Sequence, residues 1–165
     1  MPENLANVTI RAACRSDEEF VQDLASQVFS AYSRDPRRAI ESILAERCTE
    51  TLVAELDSLR VGFAVLQYEQ LARDVGPWVR PTAARLDAIA VCPRVHGRGV
   101  GRRLLESAEE AARQRPSLSL SLATGERNMR ARRLFEGGGF VQLARVERYY
   151  AGGQAAILMH RTLID

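Results

Sequence analysis

The chain has 165 residues, of which 46% are hydrophobic and 27% charged, with a formal net charge of +2. This is one domain's worth of sequence, long enough to bury roughly 68–70% of its unfolded surface, and its apolar content argues against disorder. The near-neutral charge gives no electrostatic case for nucleic acid, and no apolar run approaches the roughly 20 residues that cross a bilayer.

The pattern predicts alternating strands and helices with no internal repeat or linker. Residues 7–12 alternate around Val8 and Ile10 as a first strand. Ser16 with Glu19 reads as a capping box opening an amphipathic helix that carries Phe20, Leu24 and Val28. Asp35-Pro36 starts a second helix with Ile40, Ile43 and Leu44 on one face. Residues 51–55 and 61–67 form a hairpin around Asp57-Ser58, and residues 70–81 a loop holding Trp78. A strand at 85–91 ends at Pro93, a helix covers 99–113, and a strand covers 117–122. A helix at 128–136 stops at three consecutive glycines, 137–139, before two last strands at 140–148 and 155–163. The fold class is mixed α/β (α+β), as a single domain over 1–165.

All 23 Lys+Arg residues are arginine. That removes a lysine nucleophile, a Schiff base and the lysine of a P-loop. Codon usage in a GC-rich genome is the plain source of such a composition; chemically, arginine suits bidentate phosphate or carboxylate recognition. Cys14, Cys48 and Cys92 are scattered and odd in number, without metal-ligand spacing. They speak for a reducing cytosol and against a disulfide framework or a metal site. Met1, Pro2, Glu3 and Asn4 lack the basic and apolar regions of a signal peptide, so the expectation is a cytoplasmic chain with no membrane partner.

The chemistry sits in residues 86–105, where an apolar strand enters a glycine turn and the turn enters a helix. The first amides of such a helix have no intrahelical acceptor, and the macrodipole favours an anion above them. Gly97, Gly99 and Gly101 let the backbone approach a bulky anion, while Arg94, Arg98, Arg102 and Arg103 add positive charge. The spacing Gly-x-Gly-x-Gly is neither a dinucleotide fingerprint nor a P-loop. The competing reading is a turn whose glycines serve only close packing of helix on strand.

His96-Gly97-Arg98-Gly99-Val100-Gly101 resembles the acyl-CoA pyrophosphate loop of the GNAT N-acetyltransferase superfamily. Asn128, Ala131, Leu134, Phe135, Gly139 and Phe140 are similar to its second motif. The resemblance covers nearly the whole chain. It implies a central, mostly antiparallel mixed sheet of about seven strands with flanking helices, splayed between the fourth and fifth strands. It implies acetyl-CoA as cosubstrate: the backbone of Ile89, Ala90 and Val91 against pantetheine, the loop from His96 through Arg102 at the pyrophosphate, and Asn128 and Phe135 on the pantetheine side. It also allows a homodimer through the last strands.

Acyl transfer to an amine needs a neutral amine, donors for the oxyanion and a proton for the leaving thiolate. The family's usual tyrosine acid stands as Phe135. The glutamate base of the ribosomal-protein N-terminal acetyltransferases stands as Ala123. Candidate replacements are Asp87 as base, which strand alternation places with Arg85 and Ile89, and Tyr149 or Tyr150 as acid. Against these roles stand an arginine-paired carboxylate and an aromatic pair at the sheet edge. A thiol of pKa near ~8.5 also makes its thiolate a tolerable leaving group without an acid. His96 reads as an anion contact or a helix cap, His160 as structural, Cys92 as packing and Trp78 as a wall of the acceptor pocket or a surface aromatic. Glu69, Arg73 and residues 32–38 enter by location alone. The expected function is N-acetyl transfer from acetyl-CoA to a small-molecule or peptide amine. The alternative is a catalytically weak acyl-CoA-binding or regulatory module.

Overall fold

The strands are β1 (Val8–Ala12), β2 (Thr49–Leu56), β3 (Leu59–Gln70), β4 (Thr82–Val91), β5 (Ser117–Gly125), β6 (Val141–Val146) and β7 (Ala156–Thr162). The helices are α1 (Glu18–Val28), α2 (Pro36–Leu44), α3 (Val100–Gln114) and α4 (Met129–Gly137). The structure, a computed structural model, describes residues 7–164; Met1, Pro2, Glu3 and Asn4, which carry the expectation about a leader, lie outside the described residues. One sheet runs in the order β1-β2-β3-β4-β5-β7-β6. Among the described residues only β4 and β5 pair in parallel; the other neighbours are antiparallel. Among the described residues no helix is long and apolar enough to cross a membrane.

Local chemistry explains most of these elements. Asp57 and Ser58 both have positive φ, 51° and 66°, which matches the twist of the two strands they join. The Asp35 side chain accepts the Arg38 amide at 3.1 Å and caps α2, with Pro36 in its first turn. The start of α1 differs from the sequence expectation. Ser16 and Glu19 make no capping box; a one-turn 3-10 helix, Arg15–Asp17, comes first, and the Asp17 carboxylate takes the Cys14 amide at 2.9 Å. Asp17 is buried and also meets Arg11 at 2.7 Å and Arg60 at 3.3 Å, so an ion-paired acid fixes this end of the helix. The buried stripe of α1 is Val21, Leu24 and Ala25, with Phe20 and Val28 at its margin.

The two faces of the sheet are covered by different helices. One core joins α3 residues Leu104, Leu105 and Ala108 and α4 residue Phe135 to Leu66, Ala84, Leu86, Leu120 and Met159. The other joins α1 and α2 to Phe63, Val65, Ala88 and Ala90. Leu66 pairs with Leu86 but Val65 pairs with Ala88, so Asp87 is an extra, bulged residue in β4. The bulge reverses side-chain parity. Upstream, Ala84 and Leu86 face α3; downstream, Ile89 and Val91 pack on that side and Ala88 and Ala90 on the other. Uninterrupted alternation placed Ile89 with Arg85 and Asp87; the extra residue puts Ile89 on the opposite face.

Candidate active site

The parallel ladder between β4 and β5 ends at Leu86 and Leu122. Beyond it the strands separate, which leaves the β5-facing backbone groups of residues 87–91 without a strand partner. A cavity of about 240 Å³ opens at this gap. Asp87 and Ile89 of β4, Thr124 and Gly125 of β5, and Asn128 and Phe135 line one side. Phe29, Tyr32, Ile40 and Ile43, with Tyr150 from the loop before β7, line the other. Residues far apart in sequence thus meet where a sheet opens between unlike helices.

The turn before α3 lies at the end of β4. Gly97 and Gly99 have φ of 79° and 80°, a left-handed conformation that a side chain would strain. Gly99 is the N-cap residue and no side chain caps the helix. The Arg103 amide reaches the Gly99 carbonyl at 3.1 Å, so the amides of residues 99–102 precede the first intrahelical bond and are free for an anion. The side chain of Val100 is buried, so only its backbone belongs to this cradle. Arg102 pairs with Glu106 at 3.0 Å, whereas Arg94 and Arg98 are exposed and have no ion pair among the described residues. His96 neither caps nor points its Nε2 at the turn: that nitrogen donates to the Val91 carbonyl at 3.0 Å and ties the loop to the strand. Asn128 caps α4 by accepting the Ala131 amide at 3.1 Å through Oδ1, which leaves its amide NH₂ to donate. Free helix amides, left-handed glycines and an available amide donor fit an extended phosphorylated cofactor such as acetyl-CoA.

Asp87 is held rather than loose. Its carboxylate pairs with Arg85, Arg85 donates to Gln67, and Gln67 donates to Glu46. The Arg85 guanidinium is raised above its ordinary pKa, first by the hydrogen bond to Asp87. Tyr150 sits edge-on to Tyr32 and Tyr149, with centroids 4.9 Å apart in each pair. Burial, and then the neighbouring Tyr149 and Tyr32, push its phenol well above the usual range, so it keeps its proton.

The structure therefore brings Asp87, Ile89, Asn128, Phe135 and Tyr150 to one cavity, with the 97–102 turn at the far end of β4. Tyr149 is 51% exposed and stands outside the lining. Trp78, on the loop between β3 and β4, is also outside it. Ala90 turns into the core under α1 and α2, and Val91 packs towards α3, so only their backbone faces the gap. Tyr32 belongs to the 32–38 segment that the sequence marks by location alone, with no role attached. A Cβ on Gly125 would come within 2.5 Å of the Tyr32 ring. The glycine ending β5 is the one local signal that something large lies against it.

Solved structures share this architecture. Ard1 from Thermoplasma volcanium has a TM-score of 0.77 and 24% identity, covering 97% of this chain and 100% of that one. The ribosomal-protein-S18-alanine N-acetyltransferase from Escherichia coli gives 0.75 and 22%, covering 96% and 95%. The acetyltransferase yncA from Salmonella typhimurium, solved with its cofactor acetyl-CoA, gives 0.73 and 18%, covering 96% and 95%. No curated protein matches the chain. The description "Acetyltransferase (GNAT) family" matches residues 17–140, which spans the helix before the hairpin, the cradle and the second motif. With that match, the splayed β4–β5 pair and the amide cradle, the chain belongs to the acetyltransferase (GNAT) family and is an acetyltransferase.

Proposed function

We propose that this chain acetylates a primary amine by direct attack in a ternary complex, with Asp87 as the proton acceptor and Tyr150 as the proton donor. The observation that carries the reading is the meeting of a fixed carboxylate and a protonated phenol in one cavity at the β4–β5 gap. Among the described residues no cysteine or histidine lines that cavity, and the chain has no lysine. This favours direct transfer over a covalent acyl-enzyme on such a group.

Acetyl-CoA supplies an activated acyl carbonyl. The protein's part is positioning and proton handling. The turn amides hold the pyrophosphate, the unpaired backbone of residues 87–91 lies along the gap, and Asn128 donates from the other side. Asp87, oriented by Arg85, takes a proton from the amine, directly or through one water. Tyr150 replaces the hydroxyl that Phe135 lacks and offers its proton towards the departing sulfur. The free thiols Cys14, Cys48 and Cys92 support a cytoplasmic location.

Release of free CoA from acetyl-CoA over an amine library tests the activity. Asp87→Asn and Tyr150→Phe are each expected to lower kcat by roughly 10²-fold, with acetyl-CoA affinity within about twofold of wild type. Tight acetyl-CoA binding without turnover of any amine would instead support the binding-module alternative, to which Phe135 and Ala123 point.

A further inference from the structure

We infer that the acceptor is a primary monoamine carried on an apolar, uncharged carbon frame, with no carboxylate beside the amine. This rests on the reading that the site acetylates an amine. The wall that the amine meets sets this choice. The first two helices and their linker bring Phe29, Tyr32, Pro36, Ala39, Ile40 and Ile43 to the cavity, and none carries a charge. Asp87 is the one charged side chain among the described residues of the whole lining. Among the described residues no arginine lines it, in a chain that has 23, and Arg85, outside the lining, is committed to Asp87 and Gln67.

Each absence excludes a class of acceptor. A carboxylate next to the amine, as in a free amino acid, would be desolvated without a counter-ion, which costs far more than an apolar contact returns. A second ammonium, as in a polyamine, would find no second acid, and Asp87 is already partly answered by Arg85. An amine on an apolar frame instead buries carbon against Phe29, Ile40 and Ile43 and turns its nitrogen to Asp87. In the transfer a C–N bond forms and the C–S bond breaks. The sulfur leaves with the electron pair and takes the proton that Tyr150 offers, so CoA departs as the thiol, and the proton the amine gives up goes to Asp87. The linker is held for this role: Gly125 leaves room for the Tyr32 ring, and the Ala151 amide reaches the Tyr32 carbonyl at 3.4 Å from the loop before β7.

The test compares four acceptors with the full chain and acetyl-CoA, reading CoA release. Phenethylamine is the small monoamine, phenylalanine amide mimics a chain terminus, phenylalanine adds the carboxylate and spermidine adds cations. The two uncharged-frame amines are expected to exceed the other two in kcat/KM by at least about tenfold. Their mutual ratio tells a small-molecule source from a peptide one. Phenylalanine or spermidine matching or exceeding both overturns this inference while leaving amine acetylation intact. No release with any of the four, in protein that turns over another amine of the library, overturns this inference alone; no release across the whole library, in protein that binds acetyl-CoA, overturns the acetylation reading with it. A second variant probes the missing cation. Ala39 is exposed on α2 at the cavity's rim. Ala39→Arg is expected to raise phenylalanine relative to phenethylamine by about tenfold. An unchanged ratio in the folded variant overturns the charge argument.

Discussion

Gly99 has a φ of 80° at the head of a fifteen-residue helix, in a place where backbone amides must stay open. Its missing side chain matters twice, by permitting the left-handed turn and by leaving the amides reachable. Gly99→Glu adds strain and sets a negative charge at the positive end of the macrodipole. It is expected to weaken acetyl-CoA binding by roughly 1–2 kcal/mol, about five- to thirtyfold. Calorimetry on the folded variant checks this, and unchanged affinity would remove the cradle from residues 97–102. This residue was legible in the sequence because the requirement is local: a glycine between an apolar strand and a helix start. Tyr150 was legible only as one of two adjacent tyrosines. Neighbours in sequence point in different directions, and only the packing of the loop before β7 against Tyr32 sends one ring inward and leaves the other half exposed.

At the scale of elements, the entry to α1 shows how a tertiary contact displaces a local signal. Ser16 and Glu19 have capping-box spacing, yet Asp17 fixes the chain, because Arg11 from β1 and Arg60 from β3 converge on it. Its carboxyl is held well below the usual range, first by the hydrogen bond to Arg11. A carboxyl depressed in the folded state contributes stability above its unfolded pKa of about 3.9, and that contribution fades as the pH falls towards the folded value. Asp17→Asn is therefore expected to cost about 2 kcal/mol at pH 7. This is below the range for fully buried pairs because both arginines are well exposed, at 37% and 41%. Urea unfolding of both proteins should show the gap closing when the pH is lowered below 4. A gap that stays constant with pH would rule out the ion pair as its source.

Across the whole molecule, the β4 bulge coordinates fold and site. The extra residue Asp87 lets Ala84 and Leu86 enter the α3 core while Ala88 and Ala90 enter the core under α1 and α2. Deleting Asp87 restores simple alternation, and one half of β4 must then present its apolar side chains to the wrong face. The deletion is expected to abolish the cooperative thermal transition. Asp87→Ala, which keeps the residue count, should unfold within about 1 kcal/mol of wild type because it removes only a partly exposed pair. A deletion variant with wild-type Tm would show that parity does not hold the two cores. By itself the sequence determined the order of strands and helices, the hairpin turn at Asp57-Ser58, the cap at Asp35 and the glycine cradle. Each depends on side-chain period or on φ preferences within a few residues. Only the tertiary structure decided the bulge at Asp87, the role of Asp17, the inward ring of Tyr150 and the uncharged cavity wall of Phe29, Ile40 and Ile43. Those depend on which distant strand sets the register and which distant charge or ring fills the space, and no local pattern encodes a partner fifty residues away.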